Sequence, residues 1–521
     1  MVCRRFTMAS LGSEASAING APTAAPRAFE AAAATSAHLV PSCYNDCNGR
    51  GTCESPGLCS CRAPWSGWDC IEDGLAQLAA SAAPSTHEEH GFVYVYSPPH
   101  ELGHAAMRHD AMRLEPMDPL YTAEQHFFER LMADRTLRTL DPHRARLFYV
   151  PTFLLPTHPN TVYATGVSHY HKLVQALSAR DATFAKAWRE NRSRHIFFLS
   201  GDKGACLWPR GPIYISHWGL TTPWKAMMLP QLWRKDVLVS ARANEPPCAD
   251  ARDIILPPVI AHPFNHSAAT ARFPQSRPAW RCELFFAGAM TAEQKNKHAS
   301  WCDNGRHGGV RCYSQGVRAA VLAHHHNRSG FCLARQLPPE LYADSRFCLA
   351  PSGEGFGDRL ANAMLSGCVP LIIQPAVRQP YDDVLPYERF SIRIGADRIP
   401  ALHEVLRAVT DEQHARLRAG VRHFARAFEW LRTGAQAYEA ARYSLCLRAE
   451  RPGGCAALRP LWLHHHPRPR RAKEPSQSLG GGTDHVADMG RVDESLSPRL
   501  DATVRYVVRP RRGTRRARAP A

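Results

Sequence analysis

Short apolar runs, each closed by glycine, proline or a charged turn, recur through the middle of the chain and alternate with segments of helical spacing. Phe92–Tyr96 (FVYVY), Leu147–Val150 (LFYV), His195–Leu199 (HIFFL), Ile213–Ser216 (IYIS), Val237–Val239 (VLV) and Ile254–Leu256 (IIL) read as strands. Tyr121–Met132 (YTAEQHFFERLM) reads as a helix, with Thr122 as N-cap and Glu124 and Gln125 in its first turn. Asp141-Pro142 opens a further short helix. A second set begins at Cys282–Phe286 (CELFF) and runs through a helix over Gly316–Ala323, a strand at Phe390–Ile394 and helices across Pro400–Ala419 and Val421–Tyr443. Strands alternating with helices predict parallel sheets. Two such sets, joined near Pro257–Arg281, predict an α/β fold of two facing Rossmann-like domains.

Within the second set, Leu341–Ile373 carries the clearest chemistry. Ser345–Leu349 (SRFCL) is an apolar strand, Pro351–Gly357 (PSGEGFG) a glycine loop, Asp358–Ser366 (DRLANAMLS) a helix and Val369–Ile373 a second strand. A loop at the carboxyl end of a parallel strand is where open α/β sheets bind ligands. Glycines let backbone N–H groups approach an anion, and the following helix N-terminus adds partial positive charge. Ser352, Gly353 and Gly355 lie on this loop, and Arg359 opens the helix, placed to pair with a diphosphate. A plain structural turn is the competing reading.

Composition narrows the setting. A chain of 521 residues, 44% hydrophobic, is long enough for two or three cored domains. The net charge of +17 suits polyanionic partners, but residues 464–521 carry much of it in runs such as RPRRGTRRARAP and read as a disordered basic tail, not a nucleic-acid site. No run of 18 apolar residues occurs, so no membrane span is assigned. Arg4 and Arg5 are followed by no apolar stretch of the signal-peptide kind. Yet six of 17 cysteines fall between Cys43 and Cys70, which argues for an oxidising compartment. The expectation is therefore an incomplete targeting segment or stalk over 1–40. A disulfide module follows over 41–72 and an Ala/Ser linker over 73–89. The two α/β domains take 90–258 and 259–445, and the tail 446–521.

Cys43–Cys70 has the spacing C-x3-C-x5-C-x5-C-x-C-x8-C, with Gly67-Trp68 before the last cysteine. A zinc cluster is one reading, although Cys59-x-Cys61 is tighter than the usual C-x2-C knuckle. The pattern resembles an EGF-like module, and the resemblance implies bridges Cys43–Cys53, Cys47–Cys59 and Cys61–Cys70. Elsewhere, Cys302–Cys312 and Cys446–Cys455 are close enough in sequence to pair, and Cys348 and Cys368 read as buried thiols. The histidine runs His324–His326 and His464–His466 read as exposed loop residues, so no metal site is assigned. Asn191, Asn265 and Asn327 head glycosylation sequons.

From Gly91 to Ala440 the chain resembles the exostosin family of glycosyltransferases. The resemblance rests on FVYVYSPP, YTAEQHFFERLM, RTLDPHRARLFYVPTF, HIFFLSGDKGAC, DIILPP, RCELFFAG and YADSRFCLAPSGEGFGDRLANAMLSGCVPLII, in that order. It implies a GT-B fold and a nucleotide-sugar co-substrate, usually a UDP-sugar. It also implies inversion at the anomeric carbon, no required cofactor, and a glycan or glycoprotein acceptor in the Golgi lumen. Membrane association or a complex with another transferase fits the same picture. On the donor side it points to Arg281, Gly288, Ser352, Gly353, Gly355 and Arg359, with Asn362 where relatives carry an acidic residue suited to ribose hydroxyls. Asp358 stands where serine is common. Asp202, after HIFFLSG, is the candidate general base, with Glu101 and His100 as alternatives, while His195 reads as structural. The departures at Asp358 and Asn362 keep a second expectation open, a non-catalytic extracellular binding protein on the same scaffold.

Overall fold

The computed structural model describes residues 43–55, 58–71, 91–98, 102, 118–153, 163–206, 208–222, 247–260, 280–290, 313–353, 355–450 and 454–464. Glu101, His100, Glu354, the Val237–Val239 strand, the Cys302–Cys312 pair, the linker and the terminal segments lie outside those residues. The chain divides into two compact units, Met1–Ala80 and Ser81–Ala521.

The first unit is a hairpin of β1 (Gly51–Ser55) and β2 (Leu58–Cys61), paired antiparallel. Disulfides join Cys43 to Cys53, Cys47 to Cys59 and Cys61 to Cys70. All six sulfurs are thus bonded in pairs, which leaves no thiolate for zinc and sets that reading aside. Trp68 is fully buried against this small core. Loops of 9 to 12 residues closed by three disulfides supply stability that so small a core cannot.

The second unit holds two parallel sheets. The first half contains β3 (Val93–Val95), α1 (Ala123–Ala133), β4 (Arg138–Thr139), β5 (Leu147–Tyr149), α2 (Tyr163–Arg180), α3 (Ala182–Glu190), β6 (His195–Leu199), β7 (Ile213–Ser216), β8 (Gly219–Leu220) and β9 (Ile254–Ile255). Six of these strands form one parallel sheet in the order β4-β3-β5-β6-β7-β9. Every residue of β6 is buried, as a strand covered on both faces requires. Tyr96, Phe148, Tyr170, Phe184, Trp188, Phe197 and Tyr214 pack into one aromatic core. His195 stacks on Tyr96 within it, and burial lowers its pKa to about 4, so it is a neutral core residue. Asp141-Pro142 leads a turn, not a helix. Helices α2 and α3 are not among the elements read from the sequence: α2 mixes polar and small residues along its length, and α3 is only nine residues long with Phe184 and Trp188 as its buried face. Asp181 caps α3 by accepting from Phe184 N at 2.9 Å.

The second half contains β10 (Cys282–Ala287), α4 (Val317–His325), β11 (Phe331–Ala334), β12 (Ser345–Ala350), α5 (Arg359–Ser366), β13 (Val369–Ile372), β14 (Val377–Arg378), β15 (Ile392–Arg393), α6 (Leu402–Arg407), α7 (Asp411–Phe424) and α8 (Ala437–Ala449). Its parallel sheet runs β11-β10-β12-β13-β15. The helix expected over Pro400–Ala419 is divided, because Thr410 and Gln413 form a capping box that starts α7 afresh. The helix expected over Val421–Tyr443 likewise divides, since the chain leaves helical geometry between Glu429 and Gln436 before α8. Cys348 and Cys368, read as thiols, are joined, as are Cys282 and Cys332, Cys206 and Cys248, and Cys446 and Cys455.

Several connections hold the halves together. Strands β8 and β14 pair antiparallel across them. Trp430 Nε1 donates to Pro257 O at 2.9 Å, and Arg130 Nη2 donates to Trp430 O at 2.6 Å. Helix α8 then returns to the first half, where Tyr438 Oη donates to Asp134 at 3.1 Å and Arg442 Nε lies 2.8 Å from the same carboxylate.

Glu124 is a buried carboxylate in the first turn of α1. Its Oε1 accepts from Thr152 Oγ1 at 2.9 Å and Phe153 N at 2.9 Å, tying α1 to the loop after β5. Burial raises its pKa from 4.5 to about 7 despite these donors. Between those values the unfolded chain has released the proton and the folded protein still holds it. Rising pH therefore costs stability across that window, by up to about 3 kcal/mol. Glu124→Gln keeps an acceptor and removes the charge. Its unfolding free energy, measured by urea titration, should gain on the parent from pH about 4.5 to about 7 and keep a constant difference above. A difference that does not change with pH would show that Glu124 is not held protonated.

Candidate active site

Both sheets reverse their winding at one place. In the first half the chain runs from β3 outward to β4 and then back across to β5. In the second it runs from β10 to β11 and back to β12. The carboxyl ends of β10 and β12 flank a switch point, where open α/β sheets take ligands. Gly288 follows β10 there, and Pro351–Gly357 follows β12. The Ser200–Gly204 turn follows β6 in the first half, and His217 follows β7.

Arg359, at the start of α5, crosses this switch point. Its Nε donates to Ala287 O at 2.8 Å, and its guanidinium lies 5.8 Å from the centre of the Phe286 ring. Gly288 adopts φ +153°, and a Cβ there would stand 3.0 Å from Arg359 Nη2. Glycine therefore leaves room for the guanidinium at the strand end. Arg318 of α4 supports the same corner from beneath. It is buried, donates twice to Ser352 O at 3.0 and 2.7 Å, and donates to Ala289 O at 3.0 Å. Ser352 is fully buried, and its Oγ has no partner among the described residues.

The Asp358 carboxylate faces both neighbours of interest. One oxygen pairs with Arg359 Nη1, and the other accepts from Asn362 Nδ2 at 2.9 Å. Charge on the arginine is thus partly met inside the protein.

On the other wall, Asp202 lies in the turn after β6. Its Oδ1 accepts from Tyr121 Oη at 2.8 Å, and its carbonyl accepts from Phe356 N at 3.0 Å. The second bond runs directly from the glycine loop to the first half. A Cβ on Gly355 would stand 1.8 Å from Asp202 O, so only glycine permits the approach. Phe356 packs edge-on against Tyr121 at 6.0 Å and against the His217 ring at 4.9 Å. His217 Nδ1 donates to Leu256 O at 2.9 Å, which leaves Nε2 as the lone-pair nitrogen, without a partner among the described residues. Burial lowers the His217 pKa to about 4, so the ring stays neutral.

The structure thus brings together Asp202, Gly288, Ser352, Gly353, Gly355 and Arg359. Two expected donor residues are corrected. Arg281 precedes β10, at the amino end of a parallel strand, and its exposed side chain lies 3.6 Å from Asp344. That is the far edge of the sheet from the switch point. Asn362 is 2% exposed and its Nδ2 donates to Asp358, while its buried Oδ1 has no hydrogen-bond partner among the described residues, so the side chain is turned to Asp358 and not to the surface where a ribose would lie. Glu101 lies outside the described residues. Tyr121, Arg318 and His217 were not read as site residues. Each acts from a distant segment, and only the order of the strands shows where it arrives.

Comparison with known proteins accords with this architecture. A profile of the Exostosin GT47 domain matches residues 88–409. A probable glucuronoxylan glucuronosyltransferase of Arabidopsis thaliana is 25% identical over 299 residues, covering 56% of this chain and 58% of its own length. A probable β-1,4-xylosyltransferase of the same plant is 26% identical over 330 residues, covering 61% of this chain and 72% of its own. A probable glucuronosyltransferase of Oryza sativa subsp. japonica is 25% identical over 334 residues, covering 61% and 71%. The chain therefore spans under two thirds of the first of these relatives and somewhat more of the others. With the family profile covering most of its length, the chain belongs to the exostosin GT47 family of glycosyltransferases.

Proposed function

We propose that this chain is an inverting glycosyltransferase that moves a sugar from a nucleotide-sugar, a UDP-sugar in the simplest case, to a hydroxyl of a polysaccharide. The observation that carries the reading is the convergence of the Asp202 turn, after a strand of one sheet, with the glycine loop that leads into Arg359, after a strand of the other, joined by the Phe356 N to Asp202 O hydrogen bond at 3.0 Å. The activities for which the relatives are named, xylosyl and glucuronosyl transfer, support a polysaccharide acceptor. No cofactor is needed for the reaction as drawn.

In this reading the donor diphosphate lies over Gly288 and the glycine loop, with Arg359 and the N-terminus of α5 opposite its charge. Asp202 accepts the proton of the acceptor hydroxyl, and Tyr121 holds that carboxylate in place. The acceptor oxygen then bonds to the anomeric carbon as the bond to the diphosphate breaks on the opposite face. The nucleoside diphosphate leaves with the electron pair, and Arg359 offsets its charge. Glu101, after β3, is the second candidate for the proton. Disulfides in both units suit a secretory lumen, and the Golgi is the compartment proposed. No helix among the described residues is long and apolar enough to cross a membrane. The hairpin unit is proposed as an EGF-like spacer.

One observation favours a second reading, a glycan-binding protein without transfer. Asp358 competes for Arg359 in place of a donor. Incubating the purified chain with a panel of UDP-sugars and a xylan oligosaccharide separates the two. Transfer should appear with at least one donor, and neither binding nor release of UDP from any of them would favour the second.

Removing the base should lower kcat. Asp202→Asn is expected to cost about 10²- to 10⁴-fold, the range of general base catalysis. Tyr121→Phe should cost about tenfold in kcat, with little change in KM and a shifted pH–rate profile. Near-parental kcat for Asp202→Asn would pass the role to another residue. Arg359→Ala should abolish transfer with the fold retained, as circular dichroism would show, and Asp358→Asn should tighten UDP binding several-fold by freeing the guanidinium. Full activity in Arg359→Ala would remove the diphosphate assignment.

A further inference from the structure

A cavity of about 660 Å³ opens at the other end of the second-half sheet. Glu283, Phe331 and Arg346 line it from the amino ends of β10, β11 and β12, each within the first two residues of its strand. The glycine loop opens at Pro351, five positions along the strand from Arg346 and roughly 16 Å of extended chain away, so this is not the donor cleft. The charge of its walls is unbalanced. Arg328, Arg346 and Arg407 face it with one carboxylate, Glu283. Further acids stand close by: Asp411 lies 3.6 Å from Arg346, and Glu404 lies 2.8 Å from His403 Nδ1. Arg346 is 9% exposed, pairs with Glu283 at 2.9 Å and donates to Val409 O at 2.6 Å. Its Nε–H has no hydrogen-bond partner among the described residues.

Helix dipoles account for part of this set. Arg407 and His324 sit in the last turns of α6 and α4, where cations oppose the carbonyl ends. That reasoning does not reach Arg346, which is on a strand, or Arg328, which is in a turn. The volume falls in the range of small-ligand sites. Imidazoles of His326 and His403 and the amide of Asn327 offer hydrogen bonds to hydroxyls, and Phe331 offers an apolar face the size of a sugar ring.

We infer that this cavity binds an anionic sugar, its carboxylate or phosphate held by Arg328 and Arg407 and its ring set against Phe331. The site is separate from transfer and stands whether or not the donor assignment holds.

The test uses the full chain, freed of N-glycans by amidase because Asn327 heads a sequon. Thermal unfolding and calorimetric titration are run with a uronic-acid disaccharide, glucose 1-phosphate, inorganic phosphate and a neutral disaccharide. At least one anionic sugar should raise the unfolding temperature and bind. The doubly substituted Arg328→Ala, Arg407→Ala chain should bind it at least tenfold more weakly while unfolding at the parental temperature without ligand. The two anionic sugars distinguish a carboxylate from a phosphate site. Binding no better than the neutral disaccharide, binding unchanged in the double variant, or inorganic phosphate alone matching the sugars would each overturn the inference.

Discussion

The site depends on one backbone contact. Phe356 N–H donates to the carbonyl of Asp202, and Gly355 lies so close to that carbonyl that no side chain fits between. A single hydrogen bond contributes only about 1 kcal/mol net. Its importance is positional, because it fixes the glycine loop of one sheet against the turn of the other. Phe356 then fills the space between Tyr121 and His217. Asp202 and Arg359 are each held by their own half, and this contact sets the two at one seam. The ribbon of β8 with β14 and the return of α8 hold the same arrangement from other sides.

Charge at this seam is arranged with internal opposition. A diphosphate needs cations, and Arg359 is the cation at the strand end. Asp358 precedes it and pairs with it, while Asn362 takes the second carboxylate oxygen. Coulomb attraction at such distances in a partly buried site amounts to several kcal/mol before solvation is counted. On the proposed reading, a donor would have to outcompete the Asp358–Arg359 pair. A diphosphate carries more charge than a carboxylate and accepts from both guanidinium nitrogens, so the exchange can favour it. The asparagine has a role in this that the sequence did not suggest: it steadies the competing aspartate.

Much of the scaffold was legible because it rests on local rules. Buried parallel strands leave apolar runs such as HIFFL and SRFCL, and the glycine loop follows its strand directly. The failures share a cause. Arg281 was chosen for its place in a motif, yet a residue just before a parallel strand must lie at the end of the sheet away from the ligand. Arg318 reaches Ser352 across 34 residues of sequence, and nothing in its helix distinguishes it from a solvated arginine. Cys348 and Cys368 looked like buried thiols because each sits in an apolar run. Only the parallel register of β12 and β13 shows that those runs are neighbours.

That last pair joins the redox chemistry of the chain to its site. The Cys348–Cys368 bridge spans 20 residues, and the segment it closes contains the whole glycine loop and α5. Cys206, which bonds to Cys248, lies four residues after Asp202. Each wall of the seam is therefore anchored by a covalent link close to its key residue. In the chain-entropy account, closing loops of this size removes about 3 kcal/mol or more of freedom from the unfolded chain. The same links restrict the loop that, in the proposed reading, meets a phosphate with its backbone, where displacements of an ångström matter. An oxidising compartment is thus built into the way this fold holds its loops in place. In a reducing one, the glycine loop would lose its covalent anchor before the sheets lost their cores.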